Sequence, residues 1–231
     1  MAIPFYVTPE QMVQDKVEYC RKGIAKSKSL VAVEFSDGLL LAGENPSASL
    51  NKISEVYDRI AFAGAGKYSE FENLRKAAIR YADLKGFAYS REDVTAKSLA
   101  NAFSQVVGDI FTQQIKPLEV EILIVEVGGA WRAGNRIFHI LFDGSISDRQ
   151  DFAAIGGQTK ELESYLSEHY RVGLSLGEAL RLSSDTIAHV EKRSIPHEHL
   201  EVAMLEERAE NRTFKRLSDE AVERLLEQGA S

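Results

Sequence analysis

The residues whose types and spacing could do chemistry are Ser175, Lys67, the pair His197 and His199, and Cys20. Gly173-Leu174-Ser175-Leu176-Gly177 fits the Gly-x-Ser-x-Gly turn, in which a strained strand-to-helix bend exposes a serine nucleophile. That turn needs a strand ahead of it, and a helical pattern over Lys160 to Tyr170 stands there instead. Glu178 follows Ser175 at the spacing of a capping box, so a helix cap is the stronger reading. Gly64-Ala65-Gly66-Lys67 matches the end of a phosphate-binding loop. Ala61 replaces that loop's first glycine, and Tyr68 replaces its magnesium-binding hydroxyl. A strand-to-helix turn, with small residues for close packing, is expected there.

His197-Glu198-His199 would place two imidazoles on one face of a strand, but a zinc site needs at least three protein ligands and no further one lies nearby. A solvated loop after Pro196 fits better. His139, His169 and His189 are scattered singly. Cys20 falls inside a predicted helix with no free amine to activate it. No acid, base and nucleophile assemble, so no catalytic residue, metal or cofactor is expected; a stand-alone hydrolase using Ser175 or Cys20 is the alternative.

The elements that would position these residues follow from periodicity and caps. Thr8-Pro9-Glu10-Gln11 is a helix start, with Thr8 as cap and Pro9 at the first helical position. Apolar spacing from Met12 to Cys20 continues that helix to Gly23, or at latest to Lys28. Leu30 to Phe35 and Leu39 to Ala42 flank Ser36-Asp37-Gly38, a hairpin signal of the type I′ kind. Asn51 to Tyr57 and Ile60 to Ala65 form a second strand pair. Helices are expected over Tyr68 to Lys85, ending at Gly86, and from a Thr95 cap to Ile115. Strands Val120 to Val127, Arg136 to Phe142 and Phe152 to Ile155 precede helices Lys160 to Tyr170 and Leu176 to Glu191. A strand over His199 to Leu205 and a helix over Ser218 to Glu227 end the chain, and a loop around Trp131 has no assigned length. Helix pairs between hairpin-rich strand groups suggest an α+β, four-layer αββα sandwich.

The 231 residues can bury a sizeable core, and 44% hydrophobic with 27% charged residues is ordinary for a globular chain. A formal charge of -7 argues against general attraction to nucleic acid or to an anionic membrane surface. The single cysteine permits no internal disulfide and fits a reducing, cytoplasmic setting. Met1 to Tyr6 lacks the basic flank of a secretion signal, and no run approaches the roughly 20 apolar residues that cross a bilayer.

Several strings occur in an order that resembles proteasome α-type subunits of the actinobacterial kind. They are Gln14 to Gly23, Ser29 to Ala42, Asn45-Pro46-Ser47, Asn51 to Arg59, Gly66 to Arg75, Ala100-Asn101, Lys116 to Glu121 and Phe142 to Ile146. The resemblance implies the sandwich of N-terminal-nucleophile hydrolases with an added N-terminal helix. It implies one domain, with residues 1–8 as a gating tail, 9–27 as the helix and 28–231 as the sandwich. Active β-type relatives use an N-terminal threonine whose own amine is the base. Here the equivalent strand begins near Lys28 to Leu30 behind the helix, and Glu44 stands near the position of a supporting aspartate.

The implied role is mechanical. Copies would form a heptameric α ring on β-type subunits and gate the path of unfolded proteins in transit. Ile3, Pro4, Phe5, Tyr6, Val7 and Thr8 would form the gate. Lys52, Gly66 and Lys67 would dock the C-terminus of a ring ATPase, and Lys116, Pro117, Leu118 and Glu119 would border the pore entrance.

Overall fold

The computed structural model describes residues 8–47, 49–129, 134–209 and 212–228. Among them are α1 (Pro9–Ile24), β1 (Leu30–Phe35), β2 (Gly38–Glu44), β3 (Ile53–Tyr57), β4 (Ile60–Gly66), α2 (Tyr68–Ala88), α3 (Ala96–Gln113) and β5 (Val120–Glu126). There follow β6 (Arg136–Ile140), β7 (Ile146–Arg149), β8 (Phe152–Ile155), α4 (Thr159–His169), α5 (Leu176–Glu191), β9 (Leu200–Glu206), β10 (Phe214–Arg216) and α6 (Asp219–Gln228). The strands form two five-stranded antiparallel sheets, ordered β10-β9-β2-β1-β8 and β3-β4-β5-β6-β7.

Side-chain alternation builds three apolar layers from these two sheets. Leu30 and Ala32 of β1 face Leu123 and Val125 of β5 in a core between the sheets. Val31 and Val33 point the other way, into a core with Leu180 and Ile187 of α5. Phe62 and Ile124 pack under α2 and α3 against Phe71 and Phe103. The αββα sandwich with an added N-terminal helix is thus present. Helix α1 lies apart from these layers, and its Cys20 and Ile24 pack on Phe111 and Phe142.

Local expectations hold where caps define them and shift where packing intervenes. Thr8 accepts from the Gln11 amide at 3.3 Å, and Thr95 and Ser98 form a reciprocal box at the start of α3. Helix α1 ends at Ile24, short of residue 27, and α3 ends at Gln113 rather than Ile115. Gly86 does not end α2, which runs on to Ala88; a methyl at Gly86 would meet the Tyr57 hydroxyl, so packing accounts for this glycine. The β1–β2 hairpin turns at Ser36-Asp37 with Gly38 already in the strand. Asp37 is not among the residues with positive φ, so the turn is not type I′. A side chain at Gly38 would run into the Leu205 carbonyl of β9. Strands β7 and β10 were not anticipated: β7 is a polar, partly exposed edge, and β10 has only three residues. Trp131 lies outside the described residues, while the Gly128 amide and Asn135 side chain close its loop at 3.0 Å.

Candidate functional site

The four chemical candidates all have structural employment. The hydroxyl of Ser175 accepts from the Glu178 amide at 3.3 Å and donates to the Glu178 carboxylate at 2.8 Å; the Ser175 amide donates to that carboxylate as well. Its predecessor is the turn after α4, not a strand. The Cys20 thiol is fully buried, lies 3.4 Å from the Leu118 carbonyl, and is pushed up to about 12 by burial and then by nearby carboxylates such as Glu119. A thiol so raised holds almost no nucleophilic thiolate at neutral pH. His197 to His199 form a single 3-10 turn. Among the described residues no group of three or more His, Cys, Asp or Glu side chains is placed to hold a metal ion. Gly64 to Gly66 are not a turn but the paired end of β4, with Gly64 against the Phe71 ring, and Lys67 alone joins β4 to α2.

The start of β1 holds a compact charged cluster. Glu44, 3% exposed at the end of β2, receives Lys28 at 3.2 Å and Arg193 at 2.6 Å. Burial pushes this carboxyl up, but hydrogen bonds from Arg193 and Lys28 outweigh it and hold the group below its ordinary range. Ser29 donates to Glu191 at 3.2 Å. The ammonium of Lys52 reaches in from the start of β3 and donates to the carbonyls of Glu44 at 2.9 Å and Lys28 at 3.3 Å. Burial lowers Lys52 to about 8, against the raising pull of Glu201 and Glu44. An ammonium has three donors, and among the described residues these two bonds use two of them.

A second cluster joins α1, the α2 N-terminus and the connection between α3 and β5. Lys116 and Lys67 converge on Glu70 at 2.8 and 3.4 Å, and Glu70 also receives the Glu119 amide at 2.8 Å. Glu119 in turn accepts from the Tyr19 hydroxyl at 2.7 Å, over Gly23, where a side chain would collide with that carboxylate. Gly66 has φ +105° and lies against the Glu119 carbonyl; both features exclude an ordinary side chain. Lys16 donates to the Phe111 carbonyl at 2.8 Å. An open groove here is lined by Met12, Lys16, Tyr19, Ile115, Lys116 and Pro117.

The expected site residues thus divide. Lys67 and Gly66 adjoin Lys116 and Glu119, Leu118 offers its carbonyl to Cys20, and Lys52 sits at the same end of the β3–β4 pair but points into the Glu44 cluster. Thr8 caps α1, while Ile3, Pro4, Phe5, Tyr6 and Val7 lie outside the described residues. Sequence reasoning did not find Glu70, Tyr19, Arg193 and Glu201. Their partners lie far along the chain, as in Tyr19–Glu119 or Arg193–Glu44, and no local spacing signals them.

Comparison with known proteins supplies the family. The Proteasome subunit family model matches residues 24–205. The chain is 47% identical over 236 residues to "Proteasome subunit alpha" of Streptomyces coelicolor, covering 100% of this chain and 92% of that one. It is 46% identical to the protein of that name from Kineococcus radiotolerans, covering 98% of each, and 48% identical to that of Parafrankia sp., covering 100% and 98%. The sandwich with its added N-terminal helix is the N-terminal-nucleophile hydrolase fold of that family. This chain belongs to the proteasome-subunit family, and within it to the alpha type.

Proposed function

We propose that this chain is a non-catalytic ring subunit that gates a proteasome core particle and docks a ring ATPase. The observation carrying the first half is the start of β1. In the β-type relatives that residue would be a threonine with a free amine; here Lys28 and Ser29 stand there, joined without a break to α1. Glu44 is spent on Arg193 and Lys28, and neither Ser175 nor Cys20 is available as a nucleophile. The peptidase activity therefore belongs to partner β-type subunits, and this chain needs no cofactor.

On this reading the chain is one unit: residues 1–8 gate, 9–27 fasten the gate, and 28–231 form the sandwich body. Seven copies close a ring in the cytoplasm, through which unfolded proteins pass. No helix among the described residues is long and apolar enough to cross a membrane. Large apolar side chains stand exposed at the end of α2, with Phe87 at 93%, Tyr89 at 77% and Leu84 at 70%, and Met12 and Val13 are half exposed along α1. Patches of this kind mark surfaces that assembly covers. Gate residues Ile3 to Thr8 would meet at the axis, and the Tyr19–Glu119–Lys116 contacts would hold their helix against the entrance segment Lys116 to Glu119. Lys52 would give its third donor to the terminal carboxylate of the ATPase, with Gly66 and Lys67 beside the approach.

The purified chain should run as a ring or half-ring in native mass spectrometry and cleave no peptide. Mixing with its β-type partner should create peptidase activity that Ser175→Ala and Cys20→Ala leave intact. Robust cleavage by the lone chain, lost with either substitution, would reverse the assignment.

A further inference from the structure

We infer that Arg216, on the short strand β10 beyond the matched family region, positions Lys52 for docking by completing the buried Glu201 clasp. The inference rests on the docking role proposed for Lys52. Glu201 lies on β9 with a side chain only 7% exposed. One of its oxygens accepts from the Asn45 side-chain amide at 2.6 Å and the Lys52 backbone amide at 2.8 Å. The other accepts from the Ile53 amide at 3.0 Å and Arg216 Nη1 at 2.5 Å. A carboxylate offers about four lone-pair sites, so the clasp is saturated.

Arg216 does a second thing: its Nη2 donates to the Ile53 carbonyl at 2.5 Å. The residue following Lys52 is thereby held at its amide by Glu201 and at its carbonyl by Arg216. This matters because β3 is an edge strand, whose outer backbone groups have no strand neighbour. With the Lys52 amide and both polar groups of Ile53 held, the Lys52 side chain leaves from a fixed point toward the carbonyls of Lys28 and Glu44. Two other ties of this segment lie farther along β3 and its turn: Arg212 pairs with Glu55, and the Thr213 hydroxyl donates to the Asp58 carbonyl at 2.6 Å. Those staple the sheets without touching the Lys52 region, so stapling and positioning can be separated experimentally.

The test uses particles assembled from the full chain and its β-type subunit, with a fluorogenic peptide and the ring ATPase. The readout is the ratio of stimulated to basal hydrolysis. Arg216→Ala should lower that ratio about tenfold, because a docking group misplaced by an ångström or so loses most of its partner's contact. Arg216→Lys keeps the charge but reaches one of the two acceptors, so its ratio should fall between. Arg212→Ala should leave the ratio unchanged. Amide exchange at Lys52 and Ile53 should quicken in Arg216→Ala and not in Arg212→Ala. A wild-type ratio in Arg216→Ala, or equal losses in both alanine variants, overturns the positioning role. Should Arg216→Ala not assemble, wild-type ratios in both Arg216→Lys and Glu201→Gln overturn it. A full ratio in Lys52→Ala refutes docking at Lys52 and this inference together; loss there with a full ratio in Arg216→Ala refutes this inference alone.

Discussion

His139 shows what burial does to a single ionisable side chain in this fold. It sits on β6, 3% exposed, and its Nε2 has no hydrogen-bond partner among the described residues. Burial, with the nearby Arg149 adding to it, lowers its pKa from 6.5 to about 4. The unfolded chain therefore takes up a proton below pH 6.5 that the folded chain refuses until about pH 4. Stability falls as pH drops through this window and is regained as pH rises. The loss by pH 4 should be on the order of 3 kcal/mol. Urea unfolding at pH 7 and pH 4.5 should show His139→Leu losing less stability than the parent chain over that interval; equal losses would remove His139 as the cause. Lys52 shifts in the same direction, lowered by burial to about 8, so the carboxylate docking proposed for it should weaken as pH rises past that value.

At the scale of elements, glycines decide how closely the pieces approach. Gly66 ends β4 with φ +105° and its α-carbon against the Glu119 carbonyl, whereas Gly173, with φ +83°, has open space where a methyl would go. Gly173→Ala should therefore cost only the left-handed conformation, about 1 kcal/mol. Gly66→Ala must also move backbone at Glu119, and should cost about 3 kcal/mol. Thermal unfolding of the two variants side by side checks the difference, and similar shifts would mean that the Gly66–Glu119 approach is not tight. The same approach was not legible from the string Gly64 to Lys67. Small residues announced close packing, but the carbonyl that Gly66 packs against lies more than fifty residues along the chain. Helix starts were more legible, because Thr8, Thr95 and Ser175 each satisfy amides within their own first turn.

For the whole molecule, the proposed gating role turns on the arrangement of α1 ahead of β1. Helix α1 is tied to the body by Lys16, Tyr19 and Cys20, all directed at the α3–β5 region, so the residues before Thr8 issue from a fastened support. Deleting residues 1–8 from the assembled particle should raise hydrolysis of a small peptide severalfold by removing the steric barrier, as gating segments limit access in other enclosed sites. An unchanged rate would end the gating proposal.

The sequence alone determined the αββα layering and the helix caps, Ser175 among them, because these depend on periodicity and on contacts within a turn. Tertiary structure alone decided that Lys52 faces Glu44, that Glu70 gathers Lys67 and Lys116, and that β10 reaches Glu201 and Ile53. Those contacts join residues brought together by folding two sheets face to face, and a carboxylate's choice among distant donors leaves no periodic trace.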